Sequence, residues 1–532
     1  MFFSYNANAF PFSWFQGWIE DKDKKCPKIS KETPKCPNGS SRILDDTYPV
    51  KALVISNSPY KTTNNSYQTP PKFIYEAIKA YGADNIKDIP KIIIPCRKVC
   101  FDQIISTLEN ELRLKKFSNK QINKIIGKIH HADASAYTWQ QDYFESFYDP
   151  YTGSPFTREF ESYSVNVDYQ SLTKTAEKIG CDINSNQGFK PHPKSFGNGE
   201  MGGNLEGLPA GGCLYGNNLD SDLVKEICAK PEDHAQVITG FLEVGHVDEI
   251  FKVTPRKTKA GEPKECGFTI NYASPRLALD LMEKNPGDLL YNNIPPAPRE
   301  VDFLDNRLIK LCSIIKKNKE AIKTQQPNPN NSPSSSPSIK VKGTFYNIFN
   351  FNAYAGLSVA NSVSGKPTKA LCTQDDLKRF TNQDFVNGLK YDKDLYQYNL
   401  DIDDLMQENL QVVTDNILKR LPQCKNHLDL LPVPDIYKSF RPASNYITKN
   451  GKKVLRKKAG DALSFFPSPT NGVFLNKTNI YSDPEIPAFK KYLKKKMQDR
   501  DNLARFIPTY EYSHLGQGNL HCSSHTLPYC RP

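Results

Sequence analysis

What most restricts the fold of this 532-residue chain is its alternation of short β-branched runs with amphipathic ones. VKALVIS (50–56) and KIIIPC (91–96) have the length and β-branched content of buried strands. Between them, PKFIYEAIKAYG spaces its apolar residues as a helix does and stops at Gly82. FDQIISTLENELRLKKF and SNKQINKIIGKIHH follow as helices, the second with Ser118 as N-cap. Farther on, DLVKEICAK, SPRLALDLMEKN, FLDNRLIKLCSIIKKNKEAIK and IDDLMQENLQVVTDNILKRL read as helices and FTINYASP as a strand. QVITGFLEVGHVDEIFKVTP and ALSFFPSPTNGVFLN each read as strand, turn, strand. Strands alternating with helices imply an α/β fold. No repeat of short fixed period appears, which disfavours a solenoid.

Residues 1–45 read as an irregular N-terminal segment and 46–532 as the folded part. Its clearest interruption is TQQPNPNNSPSSSPS, about 324–338, whose Pro, Asn and Ser content cannot nucleate packed structure. With the weakly periodic residues after it, this makes a linker and insertion at about 324–400. The formal net charge is +12, with the densest lysine cluster in AFKKYLKKKMQDR. Phe489, Leu493 and Met497 fall at helical spacing there, so the lysines read as a solvated helix face. No zinc finger, RNA-binding signature or phosphate loop appears, and no nucleic-acid partner is expected. No run approaches the roughly 18 apolar residues of a membrane span. The opening MFFSYNANAFPFSWFQGW lacks a basic start and is broken by Pro11, which makes a poor signal peptide. A soluble protein, cytoplasmic or secreted, is the expectation. The 13 cysteines are odd in number and irregularly spaced, which predicts mostly free thiols. Cys26 and Cys36 could bridge in an oxidising compartment.

Four places hold side chains suited to chemistry. WQQDYFE sets Asp142 behind two amides, with Glu145 three residues on. GGNLEGLPAGG is a Gly-rich turn carrying Glu206. If FLEVGHVDEIF (241–251) is a strand, His246 and Asp248 share one of its faces. GNLHCSSH places Cys522 behind Gly518 and Asn519. Each has a plain structural reading: a cap, a tight turn, a satisfied buried pair and a small buried hydrophobe. Cys522 and His525 could also supply a metal pair, but nothing nearby completes four ligands. Together the four places suit attack on a guanidinium carbon. Two carboxylates would hold the planar cation by paired, charge-assisted hydrogen bonds. The thiolate would attack, and the histidine would protonate the departing amine and then activate water.

The order Q-D-x-x-E, G-N-L-E, G-H-V-D-E with A-S-P some 25 residues later, and a late G-N-L-H-C resembles the catalytic domain of protein-arginine deiminases. The resemblance covers about 46–532, interrupted at about 325–400, and FFPSPTNGVFL resembles the family's F-F-P-x-x-V-N strand pair. It implies the pentein five-bladed α/β propeller, five ββαβ-like units in pseudo-fivefold symmetry with the site at the centre. Cys522 then looks like the nucleophile, His246 the general acid/base, and Asp142 and Asp248 the guanidinium-binding carboxylates. Arg158 is the nearest candidate for a clamp on the substrate backbone. The implied reaction hydrolyses peptidyl-arginine to peptidyl-citrulline and ammonia through a cysteine thiouronium intermediate. The resemblance also implies Ca²⁺, held by Gln141, Glu145 and Glu206 with the main-chain carbonyls of Gly202 and Leu205, all hard oxygen donors. A second family calcium site needs an acid where this chain has Tyr143 and is not expected. SSH replaces the threonine-asparagine that usually follows the nucleophile by two. The implied partners are proteins or peptides bearing arginine, with the oligomeric state open. Three other readings stand beside this one. A deiminase of free arginine, agmatine or a similar small guanidine shares the fold, as does a catalytically silent binding module. A thiol protease gives no reason for the second carboxylate.

Overall fold

One local arrangement recurs four times in the computed structural model, which describes residues 31, 33–37, 43–56, 69–82, 85–133, 141, 144–148, 155–159, 170–179, 202–228, 230–289, 381–391, 393–439, 442–458, 460–509, 513–514 and 518–531. Two antiparallel strands are followed by a helix and by a third strand parallel to the second. In the first unit Leu205–Leu208 pairs with Gly212–Gly216, the helix is Ser221–Ile227, and His234–Val237 completes the sheet. In the second, Phe251–Pro255 and Phe268–Ser274 are joined by Asp429–Pro434 after the helices Pro275–Lys284, Asn382–Tyr391 and Lys393–Arg420. The third consists of Val473–Leu475, Thr478–Ser482, the helix Pro487–Gln498 and Leu503–Ile507. The fourth is built from both ends of the described chain. Ser524–Pro528 pairs antiparallel with Val50–Ile55, then come the helix Thr69–Tyr81 and the parallel strand Lys91–Pro95, with Ile129–Ala132 added beyond it. The described fold is therefore mixed α/β, with small separate sheets of two to four strands.

The sequence explains these elements locally. The helix Thr69–Tyr81 opens on two prolines, buries Phe73, Ile74, Ala77 and Ile78 along one stripe, and stops at Gly82, whose φ of 85° suits only glycine well. Ser118 caps the helix Asn119–Ile126 in a reciprocal capping box with Gln121. Every residue of KIIIP is buried, as a strand covered on both faces requires. The lysine-rich helix turns Phe489, Leu493 and Met497 inward and its lysines outward. The largest apolar cluster surrounds the helix Lys393–Arg420, where Leu395, Tyr398, Ile402, Met406, Val413 and Ile417 are buried. Burying each such side chain contributes about 1.5–3 kcal/mol. No described helix is long and apolar enough to cross a membrane.

Five expectations change. FLEVGHVDE is not a strand: Gly245 turns the chain at φ 85°, and Val247–Glu249 forms a 3-10 turn before the strand Phe251–Pro255. Ile129–Ala132 leaves the preceding helix after Gly127 and pairs with Lys91–Pro95 instead. Two helices occupy residues before 400 that seemed weakly periodic, because Phe385 packs on Phe465 and Phe466 at ring separations of 4.9 and 5.3 Å. Tertiary burial outweighs the diluted pattern. The two strands of ALSFFPSPTNGVFLN belong to different sheets, Leu463–Ser464 with Tyr437–Lys438 and Val473–Leu475 with Thr478–Ser482. Finally, the free-thiol expectation is overturned by the pairs Cys36–Cys530, Cys213–Cys228 and Cys266–Cys424, with Cys96, Cys100 and Cys522 unbridged among the described residues. The helix expected over FLDNRLIKLCSIIKKNKEAIK, the linker at about 324–338 and Cys26 lie outside the described residues.

The bridges yield a stability prediction. The Cys36–Cys530 bond spans 494 residues of sequence and Cys266–Cys424 spans 158, so both restrict large loops of the unfolded chain. Reduction of a native bridge costs about 2–4 kcal/mol. Dithiothreitol should therefore lower the melting temperature by several degrees. An identical melt in the reduced and untreated protein would contradict the pairing.

Candidate active site

The turn holding residue 522 lies where the closing strand Ser524–Pro528 meets the end of Val50–Ile55, and Ser56 N donates to Ser523 O at 3.1 Å. The turn is pinned from inside by Ser523 N to Asn519 O at 3.2 Å and Ser524 N to His521 O at 2.9 Å. A second loop faces it. After Gly245 the chain enters the 3-10 turn Val247–Glu249, where Glu249 Oε1 accepts from His246 N at 2.9 Å. The His246 imidazole lies against Gly203, where an added Cβ would sit 2.5 Å from Nδ1. Only glycine leaves that ring its place.

These loops bring a sulfur to a carboxylate. Cys522 Sγ donates to Asp248 Oδ2 at 3.5 Å, and His521 Nδ1 donates to the same oxygen at 2.8 Å. His521 Nε2 lies 3.8 Å from Glu206 Oε1. Cys522 is 5% exposed, Asp248 3% and His246 0%. Asp248 Oδ1, also buried, has no hydrogen-bond partner among the described residues. Burial pushes the Asp248 carboxyl up, but the hydrogen bond and charge of His521 and the charges of His246 and Lys252 outweigh it. The net direction is down, and Asp248 stays ionised. Lys252 is itself paired with Asp46 at 2.6 Å in a largely buried bridge.

A neutral layer backs Cys522. Gln141 N donates to Cys522 O at 3.2 Å, and Gln141 Oε1 lies 2.7 Å from His525 Nδ1. An amide oxygen only accepts, so Nδ1 carries the proton. Burial, then the charge of His521, holds the His525 pKa well below its usual value. The ring is neutral, and its Nε2 and Thr526 O lie 2.5 and 2.7 Å from Ser146 Oγ, which has one proton for the two. His525 is thus committed to Gln141 and Ser146 and not to a metal pair with Cys522.

The residues expected to hold Ca²⁺ lie around this layer. Gln141 Nε2 donates to Glu145 Oε2 at 2.8 Å, and Ser146 N donates to Oε1 at 2.7 Å. Glu145 is pushed well up by burial and then by the charge of Glu206. Glu206 is pushed well up by burial and then by Asp46. A buried acid, Glu145, and a partly buried one, Glu206, both raised by negative neighbours and with amide and carbonyl oxygens close in sequence, fit a hard divalent cation in donor chemistry. No group of three or more His, Cys, Asp and Glu among the described residues could hold a metal ion, so an ion here would need Gln141 and the carbonyls of Gly202 and Leu205 as well.

Other expected residues fall elsewhere. Asp142 lies outside the described residues. Arg158 stands opposite Glu145 in the strand pair Phe144–Tyr148 with Pro155–Glu159, and its side chain lies outside them too. Two residues at the site were not among those expected. His521 is one, although it adjoins Cys522 in the quoted segment. Asn471 is the other, and its Nδ2 donates to Cys522 Sγ at 3.1 Å. The only signal for Asn471 in the sequence is its place in the T-N-G turn of FFPSPTNGVFL.

No family model matches the sequence, and no curated protein matches it. Among solved structures, the chain is similar to an agmatine deiminase of C. jejuni, with TM-score 0.38, 11% identity, and coverage of 92% of this chain and 96% of that one. It is similar to the agmatine deiminase of Enterococcus faecalis at TM-score 0.38 and 10% identity, covering 92% and 96%. It is also similar to a candidate peptidyl-arginine deiminase at TM-score 0.42 and 12% identity, covering 92% and 98%. The chain is similar to deiminases. At these scores the likeness carries no weight of its own beside the side-chain geometry.

Proposed function

We propose that this chain is a guanidine deiminase with Cys522 as its nucleophile. One observation carries the reading: a buried thiol lies 3.5 Å from an ionised carboxylate, and that carboxylate's second oxygen has no partner among the described residues. A planar cation docking on Asp248 Oδ1 would present its central carbon to the sulfur. Asp142 is proposed as the second carboxylate on the guanidinium and His246 as the general acid/base. The thiolate adds to the guanidinium carbon, and the C–N bond breaks as His246 gives a proton to the departing ammonia. Water, losing a proton to His246, then adds to the S-linked thiouronium carbon. The C–S bond breaks, returning the thiolate and leaving a substituted urea. The recurring ββαβ unit supports the five-unit pentein ring as the fold behind this site.

A small free guanidine is the leading substrate class. A site whose nucleophile and carboxylate are 5% and 3% exposed suits a ligand that can be wholly enclosed. Peptidyl arginine, with Arg158 on its backbone, is the second reading, favoured by the G-H-V-D-E and A-S-P stretches. Ammonia release from agmatine and from benzoyl-arginine ethyl ester separates them. The expected kcat/KM favours agmatine by about tenfold or more. The reverse order would return the peptide reading, and release from neither would end the deiminase account.

Ca²⁺ belongs to the same proposal, with Gln141, Glu145, Glu206 and the carbonyls of Gly202 and Leu205 as its holders. When bound it would offset the charge that raises Glu145 and Glu206. Gln141, which bonds Cys522 O, would then link the ion's surroundings to the nucleophile. Excess chelator should lower the rate of ammonia release about 10- to 100-fold, with recovery on adding calcium. Equal rates with and without chelator would remove the metal.

A further inference from the structure

Asn471 touches the nucleophile through both ends of its carboxamide. Its Oδ1 accepts from Cys522 N at 3.1 Å, and its Nδ2 donates to Cys522 Sγ at 3.1 Å. The same Nδ2 lies 3.3 Å from Asp248 O, while His521 N donates to Asn471 O at 3.1 Å. Asn471 is fully buried. The orientation of the amide follows from its surroundings. A backbone N–H can only donate, so the atom facing Cys522 N must be the oxygen, and the amino group necessarily faces the sulfur. The turn behind it leaves little room to shift. Gly472 N donates to Thr470 O at 2.9 Å, and an added Cβ at Gly472 would lie 2.9 Å from Ile480 O.

The sulfur has a problem that this donor answers. It sits 3.5 Å from Asp248 Oδ2, and a thiolate beside a carboxylate in a buried site is repelled and poorly solvated. An N–H aimed at the sulfur favours the charged form. We propose that Asn471 is the positioning residue of Cys522, holding its backbone and fixing its sulfur over Asp248 with an N–H donor aimed at that sulfur. The role rests on the deiminase reading only for the step it serves, attack on the guanidinium.

Asn471→Asp tests it. The aspartate has the same shape and still accepts from Cys522 N, but it sets an oxygen against the sulfur. Two quantities are read on folded protein, confirmed by circular dichroism. The first is the split of kcat and KM for agmatine. The second is the rate of iodoacetamide alkylation of Cys522 at neutral pH, followed by peptide mass spectrometry against the free thiol of Cys100. The expected result is kcat lower by about 100-fold with KM within about threefold. Alkylation of Cys522 should slow about tenfold relative to Cys100. A wild-type alkylation ratio, or a rise in KM with kcat unchanged, would overturn the role. Should the aspartate variant not fold, Asn471→Ser is read by the same two measurements, and the same results support or overturn the role. It offers a hydroxyl to Cys522 N and lacks the donor that reaches the sulfur. Alkylation needs no substrate. A chain that deiminates nothing would refute the enzyme reading and still report on Asn471 through the alkylation ratio.

Discussion

Cys522→Ser is expected to lower ammonia release by about 10⁴-fold or more with the fold intact. The oxygen is nearly the size of the sulfur, and the surrounding bonds survive the exchange. Asn471 Oδ1 still meets the backbone N–H of residue 522, and Gln141 N still meets its carbonyl. What is lost is the nucleophile's ease of ionisation. A thiol gives a useful fraction of thiolate near neutrality, whereas an alcohol ionises only at far higher pH and stays protonated. The site holds Asp248, an acceptor already engaged with His521, and Asn471, a donor. Circular dichroism and melting temperature should match the wild type. A variant within tenfold of wild-type turnover would take Cys522 out of the chemistry.

Asp248→Asn should cost about 10³-fold in kcat/KM, equivalent to about 4 kcal/mol of transition-state stabilisation. Two losses combine. The guanidinium loses a charge-assisted acceptor at Oδ1, and His521 loses the anion it binds at 2.8 Å. The fold should hold, since an amide fills the same space. The pH dependence has a definite sign. The folded-state carboxyl lies below its usual value, so its stabilising contribution is fully present above the unfolded value of about 3.9. That contribution is lost only as pH falls through the depressed folded value. The difference in stability between wild type and Asp248→Asn should therefore be level from about pH 5 to 8 and shrink at lower pH. A difference that fades on approaching neutrality from the acid side would contradict this.

Much of the secondary structure was legible because it is locally determined. The strands Val50–Ile55 and Lys91–Pro95 and the helices at Thr69–Tyr81, Pro275–Lys284 and Pro487–Gln498 follow from periodicity, prolines and caps. The meeting of Cys522 with Asp248 was legible only as chemistry. Their contact joins residues 274 apart in sequence, and no pattern along the chain encodes it. The sheet face first expected to align His246 with Asp248 does not exist, because Gly245 and the Glu249 cap make a turn of that segment. Asn471 was hidden for a similar reason: it sits in an aperiodic turn whose role depends on a loop 51 residues later. Disulfide partners were equally unreadable, since cysteine spacing does not determine connectivity and Cys36 finds Cys530 rather than Cys26. His525 belongs with these, its ring spent on Gln141 and Ser146.

The most direct measurement is peptide mass spectrometry after rapid acid quench of the enzyme turning over agmatine. The peptide containing Cys522 should carry the added mass of agmatine less ammonia, transiently in the wild type and never in Cys522→Ser. Turnover with that peptide unmodified throughout, or with the adduct on another residue, would contradict attack by Cys522 on a guanidinium.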